Sequence, residues 1–166
     1  MSSASQQSIA DEKRELLRHT LATLAYRGGK AMRGTPVGFA AFHVAQGART
    51  PGEILAHMGD LLDWALSIAK GSEKWHTSTP LPWDEEQRRF FAALQGLDDY
   101  LASGQPLNVG AEKLFQGPIA DALTHVGQIA LMRRPSGCPM KGENYFVAEI
   151  VSGRVGEEQA SPRREF

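Results

Sequence analysis

Cysteine is all but missing from this chain: Cys138 stands alone among 166 residues. One thiol can form neither an internal disulfide nor a cysteine-rich zinc framework. Long apolar runs are missing too. The longest weakly polar run, 36–45, covers about ten residues and contains His43, whereas a membrane-spanning helix needs roughly 20. An excess of either charge is also lacking. The 18 basic and 19 acidic side chains leave a formal net charge of -1. That balance offers no electrostatic handle for nucleic acid or for an anionic membrane. The opening MSSASQQS has no basic segment followed by an apolar one, so no secretion signal is read there. The expectation is a cytoplasmic protein with neither nucleic acid nor membrane as partner. No internal repeat occurs at solenoid periods, and no segment signals a strand strongly.

Helical periodicity is what the chain does have. Hydrophobic residues make up 42% of it, enough for a real core in one domain. Leu16, Leu17, Thr20, Leu21 and Leu24 recur at spacings of one, three and four, which predicts a buried stripe on a first helix over 9–32. Arg27, Gly28 and Gly29 weaken its far end. Residues 33–49 hold three glycines and a proline without sustained period, and read as a long crossover loop with Phe39 and Phe42 turned inward.

The second helix has a strong start. Thr50, Pro51 and Glu53 supply a capping hydroxyl, a proline at the first helical position and a glutamate at the third. Its apolar face runs through Ile54, His57, Met58, Leu61, Ala65 and Ile68, and Gly71 stops it. A third helix is expected over 84–102, with Asp84 and Gln87 at capping-box spacing and Phe90, Phe91, Leu94, Leu97 and Leu101 inward. A fourth begins between 109 and 114 and ends near 133. Gly117 and Pro118 lie inside it, so a kink or restart is expected there. Residues 140–159 carry Tyr145, Phe146, Val147, Ile150 and Val151 and read as one short packed helix. Segments 1–8 and 160–166 read as loose ends. The fold class is thus all-α: a four-helix bundle with a short C-terminal helical extension, as a single domain over 9–159.

The residues that carry chemistry sit on the fourth helix. Asp121 and His125 are four apart and stack one turn from each other. His57 lies on the apolar face of the second helix. Two imidazoles and a carboxylate converging in a bundle can hold a divalent metal, and three protein ligands leave positions open for water or substrate. The plainer readings are a hydrogen-bonded core histidine at His57 and an ordinary acid–histidine pair at 121 and 125. Gln128 continues the same helical line and reads as a hydrogen-bonder supporting the ligands. Arg133 and Arg134 close the helix and complement its dipole. The functional alternative for them is recognition of a substrate carboxylate, about 12 Å along the axis from His125. Glu143, Asn144 and Tyr145 are placed either over the open end of the site or, for Tyr145, in the core. Trp64, Trp75 and Trp83 read as packing residues, with Trp64 and Trp83 as candidate pocket walls. Cys138, in PSGCPM, reads as a bland loop thiol with no base beside it. His19, His43 and His76 lack ligand spacing and are given no role.

Two stretches carry a family resemblance. THVGQ, with a candidate ligand four residues before its histidine, resembles the H-x3-H-R-G-Q element of the DinB-like (YfiT-like) superfamily of metal-dependent four-helix bundles. TPGEILAHMGDLLDWAL resembles that family's second helix, which supplies its first metal-binding histidine. The resemblance covers roughly residues 10–135. It implies His57, Asp121 and His125 as ligands and an up-down-down-up bundle, which the crossover at 33–49 suits. It also implies a homodimer, since dimers are common among relatives. The relatives best understood are similar to thiol S-transferases using bacillithiol or mycothiol and to a mycothiol-dependent isomerase. In two places the chain departs from the pattern: Asp121 stands where histidine is usual, and Val126 where arginine is usual. A carboxylate lowers the net charge of a divalent site from +2 to +1. Zinc or nickel fit it, and iron or manganese become suitable as well. The resulting expectation is a metal-dependent transferase in which a low-molecular-weight thiol, held as thiolate, attacks an electrophilic small-molecule substrate. A non-enzymatic small-molecule or metal-binding bundle with a vestigial site is the alternative. An iron-dependent oxygenase rests only on the ligand count and ranks third.

Overall fold

The computed structural model describes residues 3–166, with side chains from Ser8 onward. The described residues are helical, with no strand and one isolated bridge, Glu143 to Glu165. Helix α1 spans Ser3–Met32, α2 Pro51–Ala69, α3 Trp83–Ala102, α4 Ala111–Leu114 and α5 Ala120–Arg133. A π-turn, Phe115–Ile119, joins α4 to α5. No helix among the described residues is long and apolar enough to cross a membrane.

Local sequence accounts for most helix ends. At α2 the Thr50 hydroxyl accepts from the Glu53 amide, and the Glu53 carboxylate accepts from the Thr50 amide at 2.7 Å, closing the capping box. At its other end Gly71 adopts φ 74°, the left-handed turn that glycine makes without strain. Helix α3 starts differently from expectation. Its cap is Pro82, and Asp84 and Gln87 form no capping box. Instead, the buried Glu86 carboxylate accepts from the Leu81 amide at 2.9 Å. Helix α1 begins at Ser3, so its first turns extend into the stretch expected to be loose; residues 1 and 2 lie outside the described part.

Glycine does not weaken the end of α1 as expected. A methyl group at Gly28 would lie 3.2 Å from the Phe90 ring and 3.7 Å from Val126. The missing side chain lets α1 approach α3 and α5 closely, which offsets glycine's roughly 0.5–1 kcal/mol helix penalty. Around this contact sits the core. Phe90, Leu94, Leu97, Leu21, Leu24, Leu55 and Leu62 are each 0% exposed, and burying each contributes roughly 1.5–3 kcal/mol. Phe39 is buried in the crossover on a 3-10 turn, Phe39–Ala41. Leu16 is the exception in the predicted stripe: it is 67% exposed, and the buried line runs through Leu17, Leu21, Leu24 and Ala25.

The helices meet through specific pairs. Arg89 of α3 lies against Gly59 of α2 and donates to the Ala56 carbonyl; Leu66 packs near Gly96, and Tyr100 donates to the Ala69 carbonyl. Between α1 and α3, Arg18 grips Asp98 at 3.0 Å and Arg14 donates to the Leu101 carbonyl. Lys13 of α1 pairs with Glu112 of α4.

The C-terminal segment forms no helix beyond one 3-10 turn, Tyr145–Val147. Its apolar residues do not form a buried face, since Phe146 is 96% and Val151 48% exposed, and single side chains anchor it instead. Glu143 accepts from Tyr26 and Lys30 of α1, both at 2.6 Å. Tyr145 packs edge-on against Tyr26 with Arg27 over its ring. The last residues are tied down too, contrary to expectation: the Asn144 amide donates to Arg164, Phe166 to Gly142, and Lys30 reaches Glu165 at 2.9 Å.

Arg133 also departs from both of its sequence readings. It is 6% exposed. Its guanidinium donates to the carbonyls of Cys138 at 2.8 Å, Arg33 at 2.7 Å and Ala31 at 3.1 Å. The charge therefore caps the C-terminal carbonyls of a different helix, α1, and is unavailable to a substrate. Arg133→Met should destabilise the protein by about 2–4 kcal/mol, because those buried carbonyls lose a charged donor. Urea midpoints of parent and variant measure it; a change under about 0.5 kcal/mol would contradict this capping role.

Candidate metal centre

The π-turn sets the direction in which α5 faces. Pro118, buried within it, has no N–H to give, and the wider turn absorbs the missing bond. Beyond it Asp121 and His125 face α2, on which His57 lies about two turns past the capped start. The sequence therefore converges: His57 Nε2 lies 3.7 Å from Asp121 Oδ2, and His125 Nε2 lies 3.5 Å from Asp121 Oδ1. The two imidazole rings are 4.9 Å apart, edge to face. The donor atoms of all three residues lie within 4.8 Å of one another.

Those separations are too long for hydrogen bonds, whose N···O distance is about 2.7–3.2 Å. They suit donors arranged around an ion. Ligand bonds of about 2.0–2.2 Å put neighbouring donors about 3.4 Å apart in a tetrahedral site. His125 is further prepared. Its Nδ1 lies 2.7 Å from Gln128 Oε1, an acceptor, so the ring carries its proton there and turns the Nε2 lone pair toward Asp121. The donor set thus fits a divalent ion. His57 is 22% exposed and His125 11%, while Asp121 is 48% exposed, leaving the site open on one side.

The surroundings of His57 favour its neutral form. Burial lowers its pKa from the ordinary value, and His125 and Arg49 lower it further. Asp121 and Asp60 pull the other way and are outweighed. A neutral imidazole is the form that ligates.

Tryptophan and a second cluster surround His57. Trp75 stacks edge-on to His57 at 5.8 Å and to Trp64 at 5.7 Å. Trp75, read from sequence as packing, is thus the tryptophan at the site. Trp83 instead packs on Phe39 at 5.6 Å and bonds Thr35. His76, given no role by spacing, lies 3.1 Å from Asp60 and 3.5 Å from Asp63. These three also have metal-ligand spacing. Here, however, a cation is already in place: Arg89 lies 3.1 Å from Asp60 and 3.4 Å from Asp63. The Ser78 amide and hydroxyl complete the Asp60 carboxylate at 2.9 and 2.7 Å. We therefore read the cluster as a clasp that holds the 70–82 connection, and with it Trp75, against α2. Tyr145, Glu143 and Asn144 lie along α1 and Arg133 caps α1, so none of them contributes to the triad. Cys138 sits 3.2 Å from the Ser136 hydroxyl, away from any base.

Comparison with known protein families, with curated proteins and with solved structures finds no match to this chain.

The lowered pKa of His57 makes stability depend on pH. Because its folded pKa lies below its unfolded value, the unfolded chain takes up the proton first as pH falls. Metal-free protein should lose stability as pH drops below about 6.5, until the folded value is passed, and no more thereafter. Urea midpoints from about pH 8 to pH 5 read this; a His57→Gln profile as steep as the parent's would refute it. Asp60→Ala, which takes one of the three carboxylates from Arg89 and the acceptor from Ser78, should cost about 1–3 kcal/mol and make Trp75 easier to quench with acrylamide. Unchanged quenching would mean that the clasp does not hold the connection.

Proposed function

We propose that the chain is a divalent-metal-dependent transferase built on a single four-helix bundle, joining a low-molecular-weight thiol to an electrophilic small molecule. The helix pairs support the bundle. Gly59 with Arg89, Leu66 with Gly96 and Ala69 with Tyr100 rise in number together, as expected if α2 and α3 run the same way. Arg14 with Leu101, Arg18 with Asp98 and Gly28 with Phe90 run in opposition, as expected if α1 and α3 are antiparallel. Lys13 with Glu112, Gly28 with Val126 and Ala31 with Arg133 rise together again. That set fits the up-down-down-up order implied by the resemblance to the DinB-like superfamily.

The single observation carrying the functional reading is the triad: three donors at coordination spacing, with Gln128 holding His125 in its ligating form. His57, Asp121 and His125 would hold the ion, and the 48% exposure of Asp121 leaves the donors reachable from solvent. A divalent ion bound there supplies Lewis-acid activation, stabilising a thiol as thiolate at neutral pH. In the transfer the thiol sulfur forms a bond to an electrophilic carbon. The leaving group departs with its electron pair, and the thiol proton passes to water. Trp75 covers one edge of His57, with Trp64 behind it. The carboxylate keeps the site at +1, which suits zinc or nickel and admits iron or manganese.

A second reading is a non-enzymatic small-molecule or metal-binding bundle. The observation favouring it is Asp121 itself, a residue 48% exposed in the place of the usual histidine.

Elemental mass spectrometry on protein purified without a histidine tag decides between them first. Near one equivalent of transition metal in the parent, reduced at least tenfold in Asp121→Ala and His57→Ala, is the expected result. The metal-loaded parent should then accelerate conjugation of a low-molecular-weight thiol with an aryl halide, and the variants should not. An empty parent that refuses added zinc, nickel and iron would sink the transferase. A loaded but inert parent would favour the binding module.

A further inference from the structure

A cavity of about 380 Å³ shares a wall with the triad through His125 and Gln128. It lies within the range of small-molecule sites, roughly 300–1,000 Å³. Its remaining walls divide sharply by chemistry. Val44, Ile54, Leu131 and Met132 are apolar, and two of them are left open: Leu131 is 71% exposed and Val44 48%. Arg49 is the one formal cation among the described lining residues, and no carboxylate lines the cavity.

Arg49 is also uncommitted. Among the described residues no hydrogen bond or ion pair engages its guanidinium. Glu53 is an acid that feels its charge. That carboxylate is already taken by the Thr50 amide at 2.7 Å and the Thr50 hydroxyl at 3.1 Å, both in the α2 cap. The positive charge of Arg49 is felt at His57 as well, so cavity and triad share one field. Gln128 adds a second donor group. Its oxygen is used by His125, while the amide nitrogen of this lining residue keeps two N–H donors. Two donor groups with no acid among them, above an open apolar floor, complement an anion with a hydrocarbon body.

We infer that this cavity takes a carboxylate-bearing, largely apolar small molecule, its carboxylate on Arg49 and its body on Val44, Ile54, Leu131 and Met132. Seated so, it borders His125, the one triad residue that lines the cavity. The assignment deepens the transferase reading and rests on it only for the use to which the bound molecule is put. A carboxylate is favoured over a phosphate because one planar guanidinium matches its two oxygens bidentately, and no second cation lines the wall.

The test compares 4-phenylbutyrate with its neutral isostere 4-phenylbutyramide by calorimetry. It uses the full chain in metal-loaded and metal-stripped form, together with Arg49→Gln and Leu131→Asp. The acid should bind at least about tenfold more tightly than the amide, in both forms of the parent. Arg49→Gln should erase that preference while leaving amide binding and metal content unchanged. Leu131→Asp should weaken both probes. Equal affinities for acid and amide, or no binding of either at millimolar concentration, would overturn the inference. So would an acid preference that survives Arg49→Gln and disappears on stripping the metal, which would put the carboxylate on the triad instead. A parent that takes up no metal removes the transferase reading separately, since the acid–amide comparison in metal-free protein still decides the cavity.

Discussion

The arrangement of the site depends on one missing backbone donor, that of Pro118. A proline inside a helix must either break it or be absorbed, and here a π-turn over Phe115–Ile119 absorbs it. Each residue inserted into such a turn rotates the downstream helix by about 100° relative to an unbroken one. Asp121 begins within two residues of that turn, so its direction and that of His125 are set there. Had the rod from Ala111 continued as a plain α-helix, the pair would face elsewhere and His57 would have no partners.

Around the triad the protein distinguishes two kinds of polar cluster. At Asp60, Asp63 and His76 the negative charge is answered by Arg89 and by Ser78, at hydrogen-bonding distances. Nothing further is needed there, and the cluster acts mechanically on the connection that carries Trp75. At His57, Asp121 and His125 the separations fall between contact and independence. Among the described residues no protein cation fills the space, and one ring nitrogen is held in place by Gln128. Ligand-type residues occur in both, and what separates them is whether their charge is already satisfied.

Support for the site comes from far along the chain. The α1 C-terminus is capped by Arg133 from α5, and its side is gripped by Glu143 from the C-terminal segment. Gly28 brings α1 down onto Phe90 and Val126. These contacts hold α5 against the core, which keeps Asp121 and His125 in register with α2. Arg49 and the apolar crossover residues then complete a cavity on the side of His125 away from the tryptophans.

Local order was legible in the sequence because it depends on near neighbours. Apolar residues at helical spacing marked all the long helices, Thr50 and Glu53 marked the start of α2, and Gly117 and Pro118 marked the break before α5. The four-residue step from Asp121 to His125 put two donors on one face whatever lay opposite. Tertiary structure alone decided what each polar group meets. Leu16 fits the apolar period of α1 yet points to solvent, since the stripe is wider than the contact. Arg133 looked like the cap of its own helix and caps another, because the α1 carbonyls it meets are about 100 residues away. His76 had no ligand spacing, as it lies in the connection after α2 while its acids lie on α2 itself. The C-terminal segment showed enough apolar residues for a helix, but it is held by single anchors on α1 instead. Periodicity reports which way a side chain leaves its own element; only packing determines what waits there.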